Sequence, residues 1–258
     1  MAHPIGHIGR KTIQTTNHLL DLFAFFYRIF RLFFNRPKEG RVLLRKMIFE
    51  QIYFTAVQAL PVIIPIALIA GSMLIYQFAR ISEHYDLGKT TVFIIVRQLG
   101  PIVTAILVIL RSATAVTIET SYMNVLNEPE ALEMAGLDPL RIICVPRLMG
   151  ITTAVLCLFI VFDIVSIVGG YLVIWILTDV PISNFLLQIV KAITGADIIA
   201  GIVKALCFGI IITVTSLYQG FLGKKQMTDI PVGTSKSALE CVIFCLVANI
   251  IISAVFYL

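Results

Sequence analysis

Charge is what this sequence has least of. Of 258 residues only 14% are Asp, Glu, Lys or Arg, where a soluble domain carries about 25%. Histidine is scarce as well: His3, His7, His18 and His84 all lie outside the long apolar runs. No paired His/Asp or His/Glu cluster stands at ligand spacing, which argues against a membrane-embedded metalloenzyme. Five cysteines are scattered, at 144, 157, 207, 241 and 245. Cys241 and Cys245 share a helix face but no His accompanies them, so the cysteines read as small apolar side chains. The N-terminus lacks a short apolar core followed by a small-residue cleavage site. The apolar segments themselves are therefore expected to direct insertion.

What fills the chain instead is hydrocarbon. Hydrophobic residues make up 59% and the mean hydropathy is +0.96, which points to a polytopic membrane protein. The net charge of +5 does not imply nucleic acid. Nine of the twenty Lys and Arg residues precede residue 50, beside the first long apolar run, and that clustering fits the positive-inside rule better than a basic groove.

Residues 10–35 are apolar but interrupted. Leu19, Leu20, Phe23, Phe26, Phe30 and Phe33 fall on one broad side of a helix, with His18, Asp21, Arg28 and Arg31 on the other. Three charges make spanning costly, at roughly 2.5–3.5 kcal/mol each near the bilayer centre. Residues 1–48 are thus expected to form an interfacial, amphipathic helix region. Five spans follow within 49–258, at about 52–79, 90–117, 148–177, 197–220 and 238–258, each near or above the ~20 residues a membrane helix needs. The fold class expected is an all-α polytopic membrane protein. With the basic N-terminus in the cytoplasm, the C-terminus falls on the other side, and 118–147 and 221–237 are inner connections. The outer stretch "ISNFLLQIVKAIT" is amphipathic and reads as surface-lying.

One polar stretch stands out between the second and third spans: "EALEMAGLDPLR", residues 130–141. Asn127 and Glu130 have capping-box spacing, Pro129 suits a first helical turn, and Gly136 can close the helix. Asp138-Pro139 would start a second short helix that Pro146 ends. Glu130 and Glu133 share one face. The stretch is either a solvated loop helix or a docking helix for a cytoplasmic partner, and periodicity does not choose between them.

Within the spans, Arg97, Asp163 and Lys204 are ionisable residues in hydrocarbon, where function is the default hypothesis. Arg97 is a candidate partner for a phosphate or carboxylate. The alternative is a structural arginine that snorkels or pairs with another helix. Asp163 and Lys204 read as structural intramembrane charges: one could neutralise the other, or Arg97 could pair with Asp163. Gly100-Pro101 could interrupt the second span, as in broken transport helices, or only kink it.

The run "RQLGPIVTAILVILRSATAVTIETSYMNVLNEPEALEMAGLDPLRIICVPRLMG" resembles the central block of the MlaE family of ABC-transporter permeases. That family reads approximately R-E-L-G-P, then G-R-x-G-x-x-x-x-A-E-I-G-x-M, then E-A-L-x-x-M-x-x-D-P-x-x-x-L-x-x-P-R. Arg97, Leu99, Gly100, Pro101, Arg111, Glu119, Met123, Glu130, Ala131, Leu132, Met134, Asp138, Pro139, Pro146 and Arg147 stand in register. Gly71, Gln77, Gly169-Gly170 and "LYQG" support the match, which covers about residues 50–240. Gln98 stands where the family has glutamate, Ser112-Ala113-Thr114 replace a glycine-containing turn, and Ser121 replaces a glycine.

The resemblance implies a homodimer of permeases, two cytoplasmic ABC ATPases, a periplasmic ring of MCE-domain subunits, and phospholipid as substrate in a bacterial inner membrane. It implies a lipid cavity near Arg97, Gln98, Leu99 and Gln77. It also implies an ATPase-coupling helix at about 128–142, carrying Glu130, Glu133, Met134, Asp138 and Arg141. The chain has no G-x-x-x-x-G-K-[ST] loop, so no cofactor is expected here; ATP and Mg belong to the partner ATPase. The rival reading is an ion-coupled secondary transporter of a hydrophobic or amphipathic solute, with Arg97, Asp163 and Lys204 as a relay. The sequence shows no internal repeat in its favour.

Overall fold

The structure is a computed structural model that describes residues 4–34, 41–81, 92–177, 187, 189–223 and 226–257. Regular structure among the described residues is helical throughout. Helix α1 spans Pro4–Phe34 and α2 spans Arg41–Thr55; a 3-10 turn at Val57–Ala59 leads into α3, Leu60–Ile81. A π segment, Val92–Leu99, continues into α4, Gly100–Val108, and a second, Ile109–Ala113, into α5, Thr114–Val125. The short α6 is Glu128–Met134; a third π segment, Leu140–Cys144, opens α7, Val145–Leu177. Helix α8 covers Gly195–Leu222 and α9 covers Ile230–Tyr257.

Five stretches are long and apolar enough to cross a membrane: Val42–Gln77, Phe93–Val125, Leu140–Leu172, Gly195–Leu222 and Met227–Phe256. The expected five spans are all present, with longer helices than expected. The second stays continuous through Gly100-Pro101, because the backbone passes from π to α register there instead of breaking. The fifth starts earlier, at Ile230. Pro231 suits a first turn that needs no N–H partner, and the Thr234 and Ser235 hydroxyls donate back to the Ile230 and Pro231 carbonyls.

Backbone-to-backbone packing sets the tightest helix pair. A Cβ at Gly71 would lie 2.7 Å from Ser166 Cα, and one at Gly169 would lie 2.7 Å from the Leu68 carbonyl. Small residues let α3 and α7 approach this closely, and the Ser166 hydroxyl donates to the Ala67 carbonyl at 3.0 Å across the contact. Helix α8 sits at the centre, with residues 212–220 all buried. Helix α9 instead exposes Leu239, Ile243, Ile250 and Val255, and α3 exposes Ile64, Ile69 and Met73. Such apolar faces suit a hydrocarbon solvent.

Helix α1 carries two apolar stripes where one was expected. His18, Leu22, Phe25 and Ile29, spaced four, three and four apart, face the bundle, and Ile29 is fully buried in the core. Leu20, Phe23, Tyr27 and Phe30 point away. His18 therefore leaves the polar side assigned to it. It lies 3.1 Å from Glu240, 3.4 Å from Gln219, and against the Tyr218 ring. Of the stretch 182–194, residues 182–186 and 188 fall outside the described residues; of the rest, Ile189 is buried with Ile75 and Ile95, while Leu187 and Val190 are exposed.

Candidate functional site

The two ends of the second span carry different chemistry. At its start, Arg97 lies in the π segment and its side chain reaches α8. Arg97 Nε is 2.7 Å from Asp197 Oδ1, and Nη2 donates to Asp197 Oδ2 at 3.2 Å. The aspartate is fixed from behind: Thr194 N and Oγ1 donate to Oδ2 at 2.9 and 2.7 Å, in a capping box that starts α8. The Arg97 side chain stays 23% exposed while that of Asp197 is 0% exposed, and the guanidinium also sits over the Phe93 ring. Lys204 Nζ donates to the Arg97 backbone carbonyl at 2.6 Å.

Gln98, next along, links the second and fifth spans. Its Oε1 accepts from Asn249 Nδ2 at 3.1 Å, and its Nε2 donates to Ser253 Oγ at 3.4 Å. An uncharged amide here completes a neutral polar ladder between α9 and the start of α4. Leu99 is half-buried and immediately precedes α4; Gln77 is exposed on α3, and no hydrogen bond among the described residues joins it to Arg97 or Gln98. Asp163 is buried on α7 with its Oδ1 against Gly100, an oxygen that no hydrogen bond among the described residues satisfies.

At the other end of the span, α6 lies outside the core. Glu130, Glu133, Asp138 and Met134 are exposed, Met134 by 85%, and Arg141 is intermediate. The helix closes as expected at Gly136, whose φ is +75°. Gly136 N donates to the Glu133 carbonyl and Leu137 N to the Leu132 carbonyl, both at 2.9 Å, the two bonds of a Schellman motif. Asp138 Oδ1 then accepts from Leu140 N at 3.0 Å and starts the next helical segment.

Two expectations fail here. Asn127 makes no side-chain cap: it adopts the left-handed conformation (φ 56°) in place of the extended backbone that a capping residue uses, so the Asn127–Glu130 capping box does not form. Nor does Pro146 end a helix. It stands in the first turn of α7, directly after a π segment whose bonds are already off the i→i−4 register, so the proline interrupts no α ladder there.

The segment is tied down at Arg147, which is buried and bridges Glu119 at 3.0 Å. Arg147 also donates to the Thr120 hydroxyl and approaches the Met123 sulfur at 3.9 Å. The end of α5 and the start of α7 are thus joined beneath α6. A cavity of about 750 Å³ opens beside them, between α2 and α6, with Phe54, Met123, Leu132 and Arg147 among its walls.

Asp197 and Glu240 are residues that sequence reasoning missed. Thr194-x-x-Asp197 is a capping-box signature visible in the sequence, but only the tertiary fold brings it to Arg97. Glu240 meets His18 from a position 222 residues away.

A helical bundle of five spans, polar at one end of its second span and closed at the other by an exposed acidic helix, has the layout of a membrane permease. A family model, "Permease MlaE", matches residues 48–255. The chain belongs to the MlaE permease family, a family of ABC-transporter permease subunits, which are transporters rather than enzymes. It is 26% identical over 254 residues to a probable ABC transporter permease protein of Rickettsia felis, covering 97% of this chain and 96% of that one. It is 27% identical over 226 residues to the intermembrane phospholipid transport system permease protein MlaE of Haemophilus influenzae, covering 84% and 87%. It is also 22% identical over 181 residues to the chloroplastic protein trigalactosyldiacylglycerol 1 of Arabidopsis thaliana, covering 70% and 52%.

Proposed function

We propose that this chain is the membrane subunit of an ABC transporter that moves phospholipids between a bacterial inner membrane and a periplasmic MCE-domain partner. Two copies form a homodimer, and a separate cytoplasmic ATPase binds ATP and Mg and hydrolyses the nucleotide. The N-terminus and α6 lie on the cytoplasmic side and the C-terminus on the periplasmic side, following the basic cluster before residue 50.

The observation that carries the reading is the second span. It is helical without a break from Val92 to Val125, with the Arg97 cluster at one end and α6 two residues beyond the other. Arg97, Gln98, Leu99 and Gln77 line the lipid cavity between the copies, with Arg97 nearest the headgroup. Glu130, Glu133, Met134, Asp138 and Arg141 face the ATPase. When the ATPase subunits close, α6 moves with them. Because Arg147 ties α5 to α7, that motion is passed to the second and third spans together and reshapes the cavity.

The test is charge reversal on α6. Glu130→Lys combined with Glu133→Lys should abolish transporter-stimulated ATP hydrolysis in the assembled complex while leaving the chain inserted. Full activity of the double variant would remove the docking role. Lipid movement driven by a proton or sodium gradient, with no ATPase needed, would establish the ion-coupled reading in its place.

A further inference from the structure

A groove of about 390 Å³ lies between α1, α8 and α9, with Leu22, Ile211, Thr215, Phe244 and Ala248 in its walls. Apart from Thr215, every residue that lines it is apolar. Its polar boundary stands one helical turn away on all three helices. His18 precedes Leu22 by four residues, Gln219 follows Thr215 by four, and Glu240 precedes Phe244 by four. These residues meet: Gln219 Nε2 donates to Glu240 Oε2 at 2.5 Å, and His18 Nε2 lies 3.1 Å from Oε1. Lys236 Nζ is 3.8 Å from the same Oε1, with its side chain half exposed. At the mouth of the groove Phe23, Val247 and Ile251 are exposed.

The polar end is on the α6 side of the bundle, where Asn124 near the end of α5 donates to the Phe221 and Gly223 carbonyls. At 1.5 Å per residue, Gln219 lies roughly 5 Å and Ile211 roughly 17 Å inward of Leu222, which ends α8. One leaflet's hydrocarbon is about 15 Å deep, so the groove occupies a single leaflet and its polar end the interface. Ile211 is roughly 21 Å along α8 from Asp197, which separates the groove from the Arg97 cluster.

We propose that this groove holds one acyl chain of a phospholipid from the leaflet on the α6 side, with the headgroup at the end formed by His18, Gln219, Glu240 and Lys236. Size selects the occupant. An apolar cavity stays dry, and one of about 150 Å³ takes the six carbons of benzene; by that ratio this groove takes roughly sixteen, one lipid tail. A helix of a second copy fits poorly, since one turn about 10 Å across and 5.4 Å high fills on the order of 400 Å³. The tail fills the angle beside the contacts of Phe25 with Tyr218 and Phe221, and so holds α1 to the bundle. The site requires only that the spans cross a membrane; it is independent of the role proposed for Arg97.

The experiment uses the full chain in vesicles of phosphatidylethanolamine and phosphatidylglycerol, with a trace of phosphatidylethanolamine carrying a photoactivatable tail. Thr215 is buried, so bulk lipid does not reach it and only a tail inside the groove does. Crosslinks mapped by mass spectrometry should therefore include residues 211–215. Ala248→Phe places a ring in the groove and should lower that labelling about tenfold, the effect of excluding roughly two methylenes. Ile250→Phe, on the exposed face of the same helix, should leave it unchanged. Should Ala248→Phe fail to insert, Val247→Phe at the mouth makes the same test. Absence of labelling at 211–215, or equal labelling in the filled variant, would overturn the proposal. A photocrosslinking residue at Val247 that captures a second copy in place of lipid would overturn it as well.

Discussion

A single methyl group at residue 71 tests how α3 and α7 are held together. A Cβ on Gly71 would fall inside the van der Waals contact of the Ser166 carbonyl oxygen and 2.7 Å from Ser166 C and Cα. All three are backbone atoms, so no rotamer can relieve the clash. The helices must part by on the order of 1 Å, which overpacking data place at about 1–3 kcal/mol. Parting them also weakens the Ser166–Ala67 hydrogen bond, worth about 1 kcal/mol. Gly71→Ala is therefore expected to destabilise by roughly 2–4 kcal/mol.

Gly170→Ala supplies the contrast. Its Cβ would meet the end of the Ile75 side chain, with Cγ1 at 2.9 Å. That chain can turn aside at about 0.5–1.5 kcal/mol. Detergent-micelle unfolding by SDS titration, read through Trp175, the only tryptophan and one carried on α7, should rank Gly71→Ala clearly below Gly170→Ala. Equal losses, or a larger loss at Gly170, would refute the argument that backbone approach organises this pair.

Two further outcomes follow from the α6 end. At Gly136 nothing lies within 4 Å of a built Cβ and φ is +75°. Gly136→Ala should thus cost about 1–2 kcal/mol of purely conformational strain and Gly136→Asn less, seen as faster amide exchange in α6. Arg147→Met should destabilise by about 2–3 kcal/mol because it strands the buried Thr120 hydroxyl. Glu119→Gln should cost under ~1 kcal/mol because Glu119 is 63% exposed; the same SDS titration measures both, and equal losses would refute this asymmetry.

The five spans were legible because their signal is local: long apolar runs, sparse charge, and proline or glycine at helix starts and closures. The closure at Gly136 was legible for the same reason, since a left-handed glycine after a short helix needs no tertiary information. What escaped was whatever depends on a partner distant in sequence. The Arg97 carboxylate could not be chosen by spacing, because Asp163 and Asp197 are both plausible until α8 is placed. Amphipathicity likewise misassigned His18, because α1 carries a second stripe that packs against the bundle besides the apolar one exposed on its outer side. The failed cap at Asn127 turns on a left-handed backbone that a side-chain pattern does not reveal.

Two of the cations within the spans share a logic that bears on function. Arg111 donates to the Phe54 carbonyl at 3.1 Å and to Gln58 at 3.0 Å, beside the 3-10 turn that separates α2 from α3. Lys204 donates to the Arg97 carbonyl beside Pro101. Both serve backbone where an α ladder gives way to another register, and a lone cation in hydrocarbon would otherwise be costly. Counting charged residues in the spans therefore overstates the number available to a substrate. Of these three cations, Arg97 is the one held through its guanidinium by a carboxylate more deeply buried than itself. Its own charge is thus aimed rather than spent on a backbone carbonyl. That difference, more than the presence of charge in the membrane, singles out Arg97 as the residue to test against a phospholipid headgroup.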